Sequence, residues 1–156
     1  MESLDLIKRL YDYDYWANQE TLTGLTTLTA GQGKPLNYFS HVIAAQRIWR
    51  TRFDDSAPAT LDAWPALTLE DCRRAVEELR MQWKELLGRL TEEKLAEDLV
   101  YKNLKGIDFH TPILDVLIHV ITHSVHHRGQ ATAAIRNAGG KPSATDYIVY
   151  VRKVKS

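Results

Sequence analysis

The sequence holds one cysteine, Cys72, among its 156 residues. No disulfide can form within the chain, and a lone thiol fits a reducing compartment better than an oxidising one. Neither sign of charge prevails, since 20 Lys and Arg stand against 20 Asp and Glu. That balance argues against DNA or RNA as a partner, because such affinity comes largely from neutralising phosphates. Long apolar runs are missing too. No stretch approaches the roughly 18 apolar residues of a spanning helix, so no membrane partner is expected. The first residues, Met1-Glu2-Ser3-Leu4-Asp5, carry acids where a signal peptide has its basic patch. The expected address is cytoplasmic.

What is present is the composition of a soluble globular protein, 44% hydrophobic and 26% charged. The length fits a single domain, 1–156, with one core. Apolar residues recur at helical spacing in four long segments. The first runs from about Leu4 to Leu28 and stops at Gly31-Gln32-Gly33-Lys34-Pro35. The second begins near Pro35 and continues through His41, Val42, Ala45, Ile48, Trp49 and Phe53. Residues 54–67 read as a surface loop. Thr68 and Asp71 form a capping box for the third segment, which extends to about Leu90. Leu99-Val100-Tyr101 and Ile107-Asp108-Phe109 flank Gly106 as a short hairpin. Thr111 and Pro112 are expected as N-cap and first turn of the fourth segment, which ends at Gly139-Gly140. The tail from Ser143 to Lys155 reads as extended or turn-like. Four long helices with short or medium connections predict an all-α four-helix bundle.

Four of the six histidines lie on the fourth segment: His119, His123, His126 and His127. At about 100° per residue they share an arc of roughly 100°. His119 with His123, and His123 with His127, are i, i+4 pairs, which set two imidazoles above one another within reach of one ion. The outer pair is about 12 Å apart along the axis, too far for one ion with bonds of about 2 Å. His123 is therefore the pivot, with His119 or His127 as its partner. Two ligands on one helix need a third from a facing helix, and His41, amid apolar residues of the second segment, is the candidate. Three histidines leave positions open for water or substrate, the catalytic pattern rather than the structural one. Against this stands a bland alternative, in which the histidines form a polar seam that only fills the core.

The runs around these residues form a pattern. His123-Ser124-Val125-His126-His127-Arg128-Gly129-Gln130, extended upstream to Leu117, resembles the fourth-helix signature of the DinB-like (DinB/YfiT) family. Tyr15-Trp16-Ala17-Asn18 resembles its first-helix motif, and Phe39 to Gln46 its second-helix motif. Gly140-Lys141-Pro142 followed by Thr145-Asp146-Tyr147 resembles its closing segment. The resemblance implies an up-down-down-up bundle, frequent homodimers, and a metal triad at His41, His123 and His127. It selects His127 over His119, which becomes a packing or orienting group. His126 falls at the edge of the arc. Gly129 is expected to permit close helix approach, and Arg128 to pair with Asp146.

For function the resemblance implies less. Some relatives are S-transferases using a low-molecular-weight thiol of the bacillithiol or glutathione type, others are thiol-dependent isomerases, and many have no assigned activity. The enzymatic expectation is a divalent ion, Zn or Ni ahead of Mn or Fe, that holds a small thiol for attack on an electrophile. Asp12, Tyr15, Trp16 and Asn37 are the expected substrate contacts. Cys72, on an apolar stripe, is not expected to be a nucleophile. The alternatives are a metal-dependent hydrolase and a non-catalytic stress-response module that binds metal or ligand, with Asp12 or His119 as a fourth ligand. An aromatic face near Trp49 or Trp83 is the expected dimer surface.

Overall fold

The computed structural model describes residues 1–54 and 61–152. In chain order the elements are α1 (Ser3–Thr26), α2 (Gly33–Thr51), α3 (Leu69–Arg89), α4 (Glu92–Leu95), β1 (Asp98–Lys102), β2 (Asp108–Pro112), α5 (Ile113–Asn137) and α6 (Tyr147–Val151). The chain is mostly helical, with one small sheet. The four long helices α1, α2, α3 and α5 match the four periodic segments to within a few residues at each end.

Their apolar faces determine their neighbours. Leu4, Ile7, Tyr11, Leu22 and Leu25 of α1 are buried with Val76, Leu79 and Leu86 of α3 and with Leu117, Val120 and Ile121 of α5. Phe39, Val42 and Ile43 of α2 join the same core. Each long helix thus packs on two others: α1 and α2 each lie against both α3 and α5. The α1–α3 edge therefore stands across the core from the α2–α5 edge.

Local chemistry fixes the boundaries. Thr68 Oγ1 accepts from the Asp71 amide at 3.1 Å, and the Thr68 amide donates to the Asp71 carboxylate at 3.0 Å, which completes the capping box of α3. Hydrogen bonds from Thr68 and then from Arg74 hold the Asp71 carboxyl down at about 2. The hairpin forms where the sequence places it, with Tyr101 opposite Phe109 and Gly106 at φ 77°.

Three expectations change. Thr111 does not cap α5: it lies in β2 opposite Leu99, its hydroxyl 3.3 Å from that of Tyr101, and Pro112 ends the strand in extended conformation. Part of the tail is helical. One turn of α6 sets Tyr147 and Tyr150 against Tyr13, with ring centroids 5.1 and 5.8 Å away, and tertiary contact of this kind stabilises a turn that would not form alone. Gly129 is exposed, and a Cβ there would meet nothing within 4 Å. The close approaches occur instead at Gly24, where a Cβ would stand 3.3 Å from Ile135 and Pro142, and at Gly140, 2.7 Å from Leu28.

Candidate metal centre

The α2–α5 edge carries the histidines. His41 is buried on α2, and His123 and His127 are half-buried one turn apart on α5. One ring nitrogen of each lies within 4.8 Å of the other two. The His41 ring centroid is 5.1 Å from that of His123 and 4.3 Å from that of His127. Bonds of about 2.0–2.1 Å to a common ion require a tighter cluster than this.

Hydrogen bonding decides which nitrogens are free. His41 Nδ1 donates to the Ala63 carbonyl at 2.6 Å, and His127 Nδ1 donates to Gln130 Oε1 at 2.6 Å. Each bond fixes the tautomer and leaves the lone pair of Nε2 for a metal, the arrangement in which an outer partner orients a ligand. Burial, and then the neighbouring His127, His41, His119 and His126 rings, hold His123 down at about 4. Burial likewise lowers His127, with His41 and His126 adding to the effect and Gln130 opposing it. These imidazoles are neutral near pH 7, as ligation requires. Neutral nitrogen donors with oriented rings fit a divalent ion.

His119 lies outside the cluster. Its ring is 5.5 Å from that of His123 and 5.1 Å from Trp49, and burial beside the Arg52 guanidinium lowers its pKa. His126 is exposed. Neither His119 nor Asp12 joins the three-histidine group as a fourth donor. Residues 2–154 match the DinB family. The chain belongs to the DinB family. It is 26% identical over 178 residues to Protein DinB of Bacillus subtilis (strain 168), with 97% of each chain covered.

The other expected site residues of this DinB-family chain scatter. Asn37 is exposed on α2 one turn before His41, on the histidine side. Asp12 and Tyr15 line a cavity between α1 and α3, across the core. Trp16 packs on Tyr150, centroids 5.5 Å apart. Trp83 is only 3% exposed and stands in the wall of the α1–α3 cavity, so it is closed to a second copy. Arg128 does not reach Asp146. It is 1% exposed and ion-paired with Asp14 of α1, and its Nη1 also donates to Asn18 Oδ1 at 3.0 Å. A guanidinium so deep in the core needs a buried carboxylate, whereas Asp146 is an exposed residue at the start of α6.

Sequence reasoning missed Trp64. Its indole stacks on the His41 ring at 3.8 Å with 5° between the planes, and is edge-on to His127 at 6.0 Å. The turn that carries it is held by the Trp64 amide donating to Asp62 Oδ1 at 2.9 Å. One signal was available: a lone tryptophan between Asp62 and Pro65, in a stretch without helical period.

Among the described residues no helix is long and apolar enough to cross a membrane.

Proposed function

We propose that the protein is a metal-dependent thiol S-transferase, joining a small thiol of the bacillithiol or glutathione type to a small electrophile. The reading rests on one observation: three mutually close imidazoles, two of them with Nδ1 already engaged, and no fourth donor in the group among the described residues. A three-ligand set keeps coordination positions open. A divalent ion there, Zn or Ni before Mn or Fe, supplies the Lewis acidity that holds a coordinated thiol as thiolate. The chain's own groups set the surroundings. Ala63 and Gln130 aim two of the rings, and Trp64, itself 53% exposed, covers one face of His41. Asn37 is the remaining candidate for substrate contact on that side. Cys72 offers no competing nucleophile: burial pushes its thiol up to about 11, so it stays protonated.

The same reading takes α1, α2, α3 and α5 as an up-down-down-up bundle, with the α2–α5 seam as its ligand-bearing edge. Two successive measurements test the proposal. Elemental analysis should find about one equivalent of divalent metal in wild type, as one three-histidine site requires, and its loss in His123→Ala. Thiol consumption with a panel of alkyl and epoxide electrophiles should then require the metal-loaded protein. Bound metal without turnover on any thiol would leave the non-catalytic module standing. Metal in neither protein would remove both readings.

A further inference from the structure

We propose that the cavity between α1 and α3 is a second small-molecule site, taking a compact amphipathic monoanion with its apolar body inward and its oxyanion head at the mouth. The site shares no residue with the histidine triad and does not depend on the reaction proposed above.

The cavity encloses about 340 Å³, within the range of small-ligand sites. Its walls are Tyr11, Val76, Leu79, Trp83 and Leu87. Its floor is polar but chemically closed. Asp14 accepts from Arg128, from Asn18 Nδ2 at 3.2 Å and from Gln46 Nε2 at 2.6 Å. Gln46 Oε1 accepts from the Trp83 indole at 3.3 Å, and Tyr11 donates to the Leu117 carbonyl at 3.3 Å. Among the described residues the buried polar atoms without a partner belong to Arg128 and Tyr147, and neither residue lines the cavity. At depth every polar atom of the lining therefore already has a partner, and burying a polar group there would cost more than burying an apolar one. The mouth is different. Lys8, Arg80 and Lys84 are exposed there with Asp12, and a second exposed carboxylate, Glu77, accepts from the Tyr15 hydroxyl at 2.8 Å, in a chain of zero net charge. None of the three cations is in an ion pair among the described residues; Arg80 lies over the Tyr15 ring at 4.0 Å. An apolar depth under a cationic rim selects an anion by charge-assisted contacts at the rim.

The test is a nitrogen–proton correlation titration with 2-naphthoate as probe and 2-naphthylmethanol as its neutral counterpart, on wild type and on His123→Ala. Naphthoate should move the Trp83 indole and Gln46 side-chain amide signals in both proteins. The alcohol should bind at least about tenfold more weakly, and Lys8→Glu/Lys84→Glu should weaken naphthoate, but not the alcohol, by about tenfold or more. Gly88 lines the cavity and has nothing within 4 Å of a Cβ, so Gly88→Trp can fold and should obstruct both probes. The proposal is overturned if the Trp83 and Gln46 signals stay still. It is equally overturned if the alcohol binds as well as the acid, if the charge reversal changes nothing, or if binding vanishes in His123→Ala.

Discussion

Two polar clusters sit within the same helical core, and they differ in what they leave unused. On the α1 side, Asp14, Asn18, Gln46 and Ser124 bond one another and Arg128, so every carboxylate, amide and hydroxyl oxygen or nitrogen in the group is engaged. The guanidinium of Arg128 also lies 5.7 Å from the Tyr13 ring. On the α2–α5 side, His41 and His127 each spend one nitrogen on an orienting bond and keep the other bare. Apart from Nε and Nη2 of Arg128, which are buried without a partner, the first, closed cluster is spent on its own bonds, while the second has nitrogen lone pairs left for something that is not protein. Perturbed titratable groups gathered at one place point to function, so the three mutually close imidazoles are the more informative of the two.

The largest expected effect lies on the closed side. Asp14→Ala leaves the Arg128 cation buried without its carboxylate and should cost about 3–5 kcal/mol in urea unfolding, with Asp14→Leu/Arg128→Met recovering much of it. His123→Ala, measured in metal-free protein, should move the same unfolding midpoint far less. Similar losses for the two single variants would erase the distinction between the clusters. Next in size is Gln130→Ala, which frees the His127 ring and should weaken metal affinity by about 10–100-fold in a chelator competition while the metal-free fold holds. Unchanged affinity would mean that the His127 ring is aimed by other contacts.

The smallest effect belongs to a surface cluster that resembles the closed one in miniature. The Asp71 carboxyl sits at about 2, below its ordinary 3.8, because Thr68 and Arg74 bond its charged form. A depressed folded value contributes stability that is complete above about pH 4 and is lost as pH falls towards 2. Asp71→Asn should flatten the acid limb of the stability curve in that window, lowering stability at neutral pH and converging on wild type as pH falls towards 2.

The sequence carried the parts of this molecule that depend on near neighbours. Helical spacing located the long helices, Thr68 and Asp71 announced a cap three residues wide, and Gly106 marked a turn between two short strands. The histidine pairs one turn apart on α5 were equally local, the facing second segment offered His41 as the cross-core partner, and the family resemblance chose His127 over His119. What escaped were contacts between distant segments. Trp64 reaches His41 from a loop 23 positions later in the chain, and no periodicity describes a loop. Arg128 pairs across 114 positions with Asp14, while the nearer Asp146 is turned to solvent. The α6 turn owes its form to aromatic rings on α1, which local propensity does not contain. Asp12 and Tyr15 were expected beside the histidines, although they line the α1–α3 cavity across the core.

Along α5, residues of the two clusters alternate at adjacent positions: His123 beside Ser124, and His127 beside Arg128. Ser124 is held by Gln46, and Arg128 by Asp14 and Asn18. Rolling α5 about its axis would tear those bonds, so the helix is pinned at the angle that presents its histidines to His41. Aim and donor chemistry are thereby assigned to different side chains. Replacing His127 by a carboxylate would change the donor set of the seam from nitrogen to mixed nitrogen and oxygen without re-aiming the helix.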